Sequence, residues 1–183
     1  MPREAFLPHL HPTFRHILVD KLEPDLSAAG VPLKLYEAAR SPFRQAELFS
    51  LGRATGSRGK TVTKARAWES FHQFGLGADY VFFIDGRWTW EEPEDGMWKE
   101  YQIRAARLGL RVLSIERPHV ELPVNLSDLQ GARFPGGGDN TWRDWMETQA
   151  ELWGGAARDV NGITHPGAPP GLIVCDRPAM DVA

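Results

Sequence analysis

Apolar side chains recur at helical spacing between residues 12 and 29. Phe14, Ile17, Leu18, Leu22 and Leu26 fall near one face, and Pro12 suits a first helical turn. Pro24 lies inside that run and is expected to kink or split it. LKLYEA (33–38) switches to a two-residue alternation, Leu33 and Leu35 against Lys34 and Tyr36, which predicts a strand. Ser41-Pro42 then opens a helix over PFRQAELFSL that Gly52 closes. YVFFI (80–84) predicts a buried strand, and Asp85-Gly86 predicts a tight turn into RWTW. A third helix is expected over 94–108, ended by Gly109. RVLSI and HVEL, on either side of Pro118, read as extended.

Other stretches lack this periodicity. Residues 53–66 (RATGSRGKTVTKAR) are basic and glycine-rich and read as a solvated loop. After Leu126 the texture changes: GARFPGGGDN is linker-like. Thr141 with Asp144 forms a possible capping box for TWRDWMETQAELW. Trp142, Trp145, Met146, Gln149, Leu152 and Trp153 share one face at helical spacing. Such a stripe is expected to pack on the main domain, the alternative being a sugar-stacking or wall-binding surface. The last 20 residues hold Pro166, Pro169, Pro170 and Pro178 and are expected to be extended or disordered. No internal repeat is visible. The division this predicts is one domain over 1–128, followed by an extension over 129–183 with linker, Trp-rich helix and Pro-rich tail.

Composition narrows the function classes. The 183 residues are 42% hydrophobic and 25% charged, enough for a core in one domain. The net charge of -3 offers no electrostatic footprint for nucleic acid or for an anionic membrane. The single cysteine, Cys175, has no partner for an internal disulfide. MPREAFLPHLHPTF lacks the apolar core of a secretory signal, and no run approaches the ~18 apolar residues that span a bilayer. Synthesis in the cytoplasm, no membrane insertion, a non-Sec route outward and a monomer are therefore the expectations.

SFHQFGLGADYVF (70–82) sets His72 and Asp79 among small and apolar residues. Seven positions apart, they suit a loop that folds back onto a strand, with glycines at 75 and 77 allowing the turn. Either this is an ordinary tight turn into a buried strand, or it is a metal site in need of a third ligand. His9, His11 and His16 lie in the N-terminal stretch, and His9-x-His11 reads as surface loop. His165 sits in the Pro/Gly tail and reads as exposed. His119 differs: in SIERPHVEL it opens a strand, with Glu116 three before it and Glu121 two after. Two histidines and an aspartate supply three ligands and leave a fourth tetrahedral position for water, which is what hydrolytic zinc needs. Glu116, held near His119 by Pro118, is the natural base. Glu121 shares a strand face with His119 and suits orientation of its imidazole.

Four motifs in order carry a family resemblance. SFHQFGLGAD resembles the SxHxxGxAxD motif of the zinc D-Ala-D-Ala-type peptidases, peptidase family M15, and ERPHVE resembles that family's acid-x-x-His motif. YEAARSPFRQAELFSLGR resembles its substrate-binding stretch, with Arg40 and Gln45 five apart, and TVTKA resembles the segment before the metal motif. The resemblance runs from about residue 10 to 126. It is nearest the subgroup of phage endolysins and bacterial L-alanyl-D-glutamate peptidases. Carried over, it makes His72, Asp79 and His119 ligands of one zinc ion and Glu116 the catalytic base and acid. Arg40 would hold a substrate carboxylate or the developing oxyanion, and Gln45 and Ser70 would position the peptide. It implies an α+β fold, a small antiparallel sheet flanked by helices in the Hedgehog/DD-peptidase-like zinc architecture. The chain departs from the family in having Gly77 where the motif has Ala. It also has plain LRVLSIERPHVEL where the subgroup often carries Trp-Gly-Gly.

The expected function is zinc-dependent hydrolysis of a peptidoglycan stem-peptide bond, as in an endolysin or an effector delivered to the wall. L-alanyl-D-glutamate endopeptidase cleavage comes first and D-alanyl-D-alanine carboxypeptidase cleavage second. A zinc-keeping wall-binding module and a metal-free structural domain are the rivals from other classes. Cobalt or manganese would also fit an N/N/O donor set.

Overall fold

A computed structural model describes residues 6–53, 59–159 and 161–172. Residues 54–58 of the basic loop, Cys175 and the end of the tail, with Pro178, lie outside the described residues. The architecture is mixed α+β: a five-stranded antiparallel sheet, a separate two-stranded ribbon and helices packed around them. Among the described residues no helix is long and apolar enough to cross a membrane.

The N-terminal helical run is α1 (Pro12–His16), a wider turn over Ile17–Leu22 and α2 (Glu23–Ala28). Pro24 does not break it. The Glu23 N–H reaches back five residues to the Leu18 carbonyl, so the helix widens to a π-turn just ahead of the proline. Phe14, Leu18, Leu22 and Leu26 are fully buried, as their spacing predicts. β1 is Leu33–Glu37 and α3 is Pro42–Ser50, whose cap is the Ser41 hydroxyl accepting from the Arg44 N–H. β2 (Gly77–Ile84) turns at Asp85-Gly86 into β3 (Arg87–Thr89). α4 is Met97–Arg107, β4 Arg111–Val112 and β5 His119–Glu121. Of RVLSI only the first two residues are strand. The rest belongs to the loop that carries Glu116.

The sheet order is β1-β2-β5-β4, with β3 also paired to β2. Asp79 faces Glu37 across one edge of β2 and His119 across the other. Leu33 and Leu35 pair with Phe82 and Tyr80 and point into the core. The register slips between Leu35 and Glu37, so Tyr36 is the extra residue of a β-bulge. The opposite face of the sheet carries Asp79 and its neighbours.

α5 (Leu126–Gln130) leads to α6 (Asn140–Leu152). The cap of α6 is Asp139, which accepts from the Trp142 N–H, in place of the expected Thr141. Trp142, Trp145, Met146 and Trp153 are buried, so the stripe packs inward. Two members differ: Gln149 is half-buried and Leu152 is exposed, while Ala150 is buried. The Trp142 indole N–H donates to the Phe74 carbonyl and that of Trp68 to the Trp153 carbonyl, which ties α6 to the metal-motif turn. β6 (Ala157–Arg158) and β7 (Thr164–His165) form the ribbon, so the start of the tail is structured. Two histidines expected at the surface, His11 and His165, are fully buried, His11 against Trp142 and His165 against Trp153. Long-range indole packing, which local patterns do not report, buries both.

Candidate metal centre

The three residues singled out from the sequence converge. His72 lies in a short 3-10 turn, Phe71–Phe74, closed by Gly75 at φ 64. Any side chain there would meet the His9 carbonyl and the Trp142 indole, so glycine serves both the reversal and the packing. The chain then enters β2 with Asp79 pointing back toward His72. His119 comes from the neighbouring strand, directly opposite Asp79. One ligand atom from each of the three lies within 4.8 Å of the others. His72 Nε2 is 3.2 Å from His119 Nδ1 and 3.3 Å from Asp79 Oδ2, and His119 Nδ1 is 3.0 Å from Asp79 Oδ1.

The outer atoms of both imidazoles are committed. His72 Nδ1 is 2.6 Å from the Ala38 carbonyl, which can only accept. Its proton is therefore on Nδ1, and the Nε2 lone pair faces the cluster. His119 Nε2 is 3.0 Å from Glu121 Oε2, as the strand spacing predicts, and Arg111 holds the other oxygen of Glu121 at 2.8 Å. His119 therefore turns Nδ1 inward. Such outer partners fix tautomer and ring orientation in metal sites, and the two nitrogens and one carboxylate oxygen are a donor set that suits zinc. Gly77 leaves room for this: a Cβ there would stand 3.0 Å from His119 Cε1 and from the His72 backbone nitrogen.

Arg40 is buried and aims at Asp79. Its Nη2 donates to Asp79 Oδ2 at 3.0 Å and to Glu37 Oε2 at 2.6 Å, and Nη1 donates to Gln45 Oε1 at 2.9 Å. Gln45 is fully buried and donates to the Ala65 carbonyl, which braces the loop after residue 62. Ser70 lines the cleft, and its N–H donates to the Gln73 side chain. Glu37 is the supporting residue that the sequence reading missed. Its only local signal is its place three before Arg40.

Charge is balanced inside this cluster. Burial opposes ionisation of Asp79, but the neighbouring imidazoles, with the hydrogen bond that His119 donates, outweigh it and hold the carboxyl well below the usual range. Burial and the Arg40 charge together lower the pKa of His72, so it is neutral. Burial also works against a charged His119, yet Asp79 and Glu121 win and raise it to about 9. A divalent cation and a proton thus compete for the same Nδ1 lone pair.

The cluster floors a cleft of about 560 Å³. Glu116 lines that cleft and is solvent-exposed, Arg44 and Lys64 add positive charge, and Tyr36 and Trp90 form an aromatic flank.

Fold and centre define an α+β protein with a His–Asp–His donor set, able to hold a cation, at the floor of a cleft. No family model matches the chain. It is 34% identical over 88 residues to the peptidoglycan L-alanyl-D-glutamate endopeptidase CwlK of Bacillus subtilis (strain 168). The match covers 48% of this chain and 51% of that protein, so the chain spans about half the length of the curated relative it matches.

Proposed function

We propose that this protein is a zinc-dependent peptidase of the peptidoglycan stem, with the L-alanyl-D-glutamate bond as its target and the M15-type zinc fold as its scaffold. The observation that carries the reading is the convergence of His72 Nε2, Asp79 and His119 Nδ1 on the cleft floor, with the two outer ring nitrogens already committed. The partial identity to CwlK supplies the substrate class. In this reading residues 1–128 carry the peptidase and 129–183 are an extension, of which α6 packs on it.

When bound, the zinc ion supplies a Lewis acid that polarises the scissile carbonyl and acidifies the attacking water. Glu116 takes the proton of that water on a carboxylate oxygen and returns it to the departing amine nitrogen. Its exposure on the cleft leaves the carboxylate free to meet a substrate. Arg40 has both terminal nitrogens committed and holds Asp79 ionised and oriented. Its Nε is buried with no hydrogen-bond partner among the described residues, so Arg40 acts on the reaction by orienting Asp79. Gln45 keeps Arg40 in place from below, and Ser70 borders the peptide path.

The test is digestion of purified peptidoglycan by the zinc-loaded protein beside a Glu116→Ala variant, read by mass spectrometry. The expected result is new fragments ending in a free L-alanine carboxyl from the wild type, reduced at least about a hundredfold in the variant. Release of D-alanine would assign a carboxypeptidase. Zinc bound at one equivalent with no cleavage would assign a wall-binding module.

A further inference from the structure

The face of the sheet that carries Asp79 also carries a strip of aromatic rings that the centre does not use. Tyr36 packs edge-on against Trp88 and Trp90 at 5.2 and 5.3 Å, and Trp88 packs against Phe83 at 4.8 Å. Among the described residues no helix covers the end of this strip: Trp90 is 54% exposed, and Tyr36, Trp88 and Phe83 are half-buried. An exposed indole backed by three packed rings beside a cleft suits a binding surface. The bulge in β1 is what joins strip and cleft. In a regular strand Tyr36 and Glu37 would point to opposite faces, whereas both line the same cleft here.

We infer that Tyr36 and Trp90 form a subsite that stacks on a sugar ring of the glycan strand carrying the stem peptide. The inference rests on the proposal that the cleft takes that peptide. A single alanine and a lactyl group separate the scissile carbonyl from the sugar, so the sugar ring begins roughly 7 Å from the reacting carbon. Glu37 is the register partner of Asp79, and Tyr36 is the next residue. Strand geometry therefore sets the Tyr36 backbone no more than about 9 Å from that of Asp79. The strip therefore begins within the reach of the sugar. A pyranose presents an apolar C–H face, which flat rigid indole and phenol rings match at little conformational cost. Lys34 Nζ lies 4.5 Å over the Phe83 ring at the far end of the strip, but the Tyr36 and Trp90 rings beside the cleft carry no charge and suit a sugar face better than the charged distal part of the stem.

Two measurements test this. The first is kcat/KM on a disaccharide-linked stem peptide and on the same peptide without sugar. Trp90→Ala should lower the ratio of the two by about tenfold, and Trp90→Phe should restore most of it. An equal loss on both substrates, or an unchanged ratio, would overturn the subsite and assign the strip to the peptide or to nothing. The second is co-sedimentation of the protein with glycan strands stripped of peptide. Binding by the wild type that Trp90→Ala abolishes supports the subsite, and equal binding or none contradicts it. If the wild type cleaves neither substrate, the peptidase reading fails, while sedimentation still decides the strip.

Discussion

Two buried histidines in this molecule each face an aspartate, and the pairs do different work. His119 meets Asp79 at 3.0 Å, and His165 meets Asp159 at 3.3 Å. His165 Nδ1 accepts the Ala67 N–H, and its Nε2 is directed at Asp159. The other oxygen of Asp159 accepts the N–H groups of Asn161 and Ile163. That pair pins the ribbon to the loop before Trp68, and its lone pairs are used. At the centre, His72 Nε2 and His119 Nδ1 meet the Asp79 carboxylate instead of a backbone group, the His119 Nδ1 proton is one that a cation can displace, and they do so in a cleft. A buried His–Asp pair is therefore not itself a sign of chemistry. What distinguishes the centre is uncommitted donor atoms that converge.

Removing one histidine from each pair makes the largest contrast. His119→Ala should abolish stoichiometric zinc binding, measured by dialysis and metal analysis. His165→Ala should leave one zinc bound but lower unfolding stability by about 2–4 kcal/mol, because buried partners lose their hydrogen bonds. Loss of zinc from both variants would break the comparison.

Proton competition gives the next effect. The folded-state pKa of His119 lies above the ordinary 6.5, at about 9. In metal-free protein its stabilising contribution is fully present below pH 6.5 and is lost as pH rises through about 9. Zinc affinity should run the other way, rising about tenfold per pH unit up to about 9 as one fewer proton must be displaced. Thermal melts without metal and chelator-buffered titrations with it check the two slopes, and slopes of the same sign would contradict the arrangement. A smaller effect is expected from Glu121→Gln, which leaves the ligands but weakens the partner of His119 Nε2. Zinc affinity above pH 9 should fall about 10–100-fold. The smallest change is expected from Asp159→Asn, about 1–3 kcal/mol of stability with zinc affinity unchanged.

The sequence carried the centre further than it carried the surroundings. His72, Asp79, His119 and the Glu121 partner stood out because a turn, a strand and a two-residue alternation are local patterns, while their meeting across β2 and β5 was an expectation carried by the family resemblance. The strands and helices of the first 126 residues were legible for the same reason. The buried sites of His11 and His165 were not, because each depends on packing against a distant tryptophan, and Glu37 was missed because a three-residue spacing to Arg40 does not by itself mark an ion pair at the end of a bulged strand. Tyr36 read as an ordinary polar-face strand residue, since a bulge shows only when the partner strand's register is known. The cap of α6 was misplaced by two residues because Asp139 and Thr141 are both acceptable caps, and packing of Trp142 decides between them.

The most direct test of the centre is an anomalous difference map from zinc-soaked crystals. One strong peak is expected, bonded at about 2.0–2.2 Å to His72 Nε2, an Asp79 oxygen and His119 Nδ1. No peak there, or zinc held through the outer nitrogen of either histidine, would contradict it.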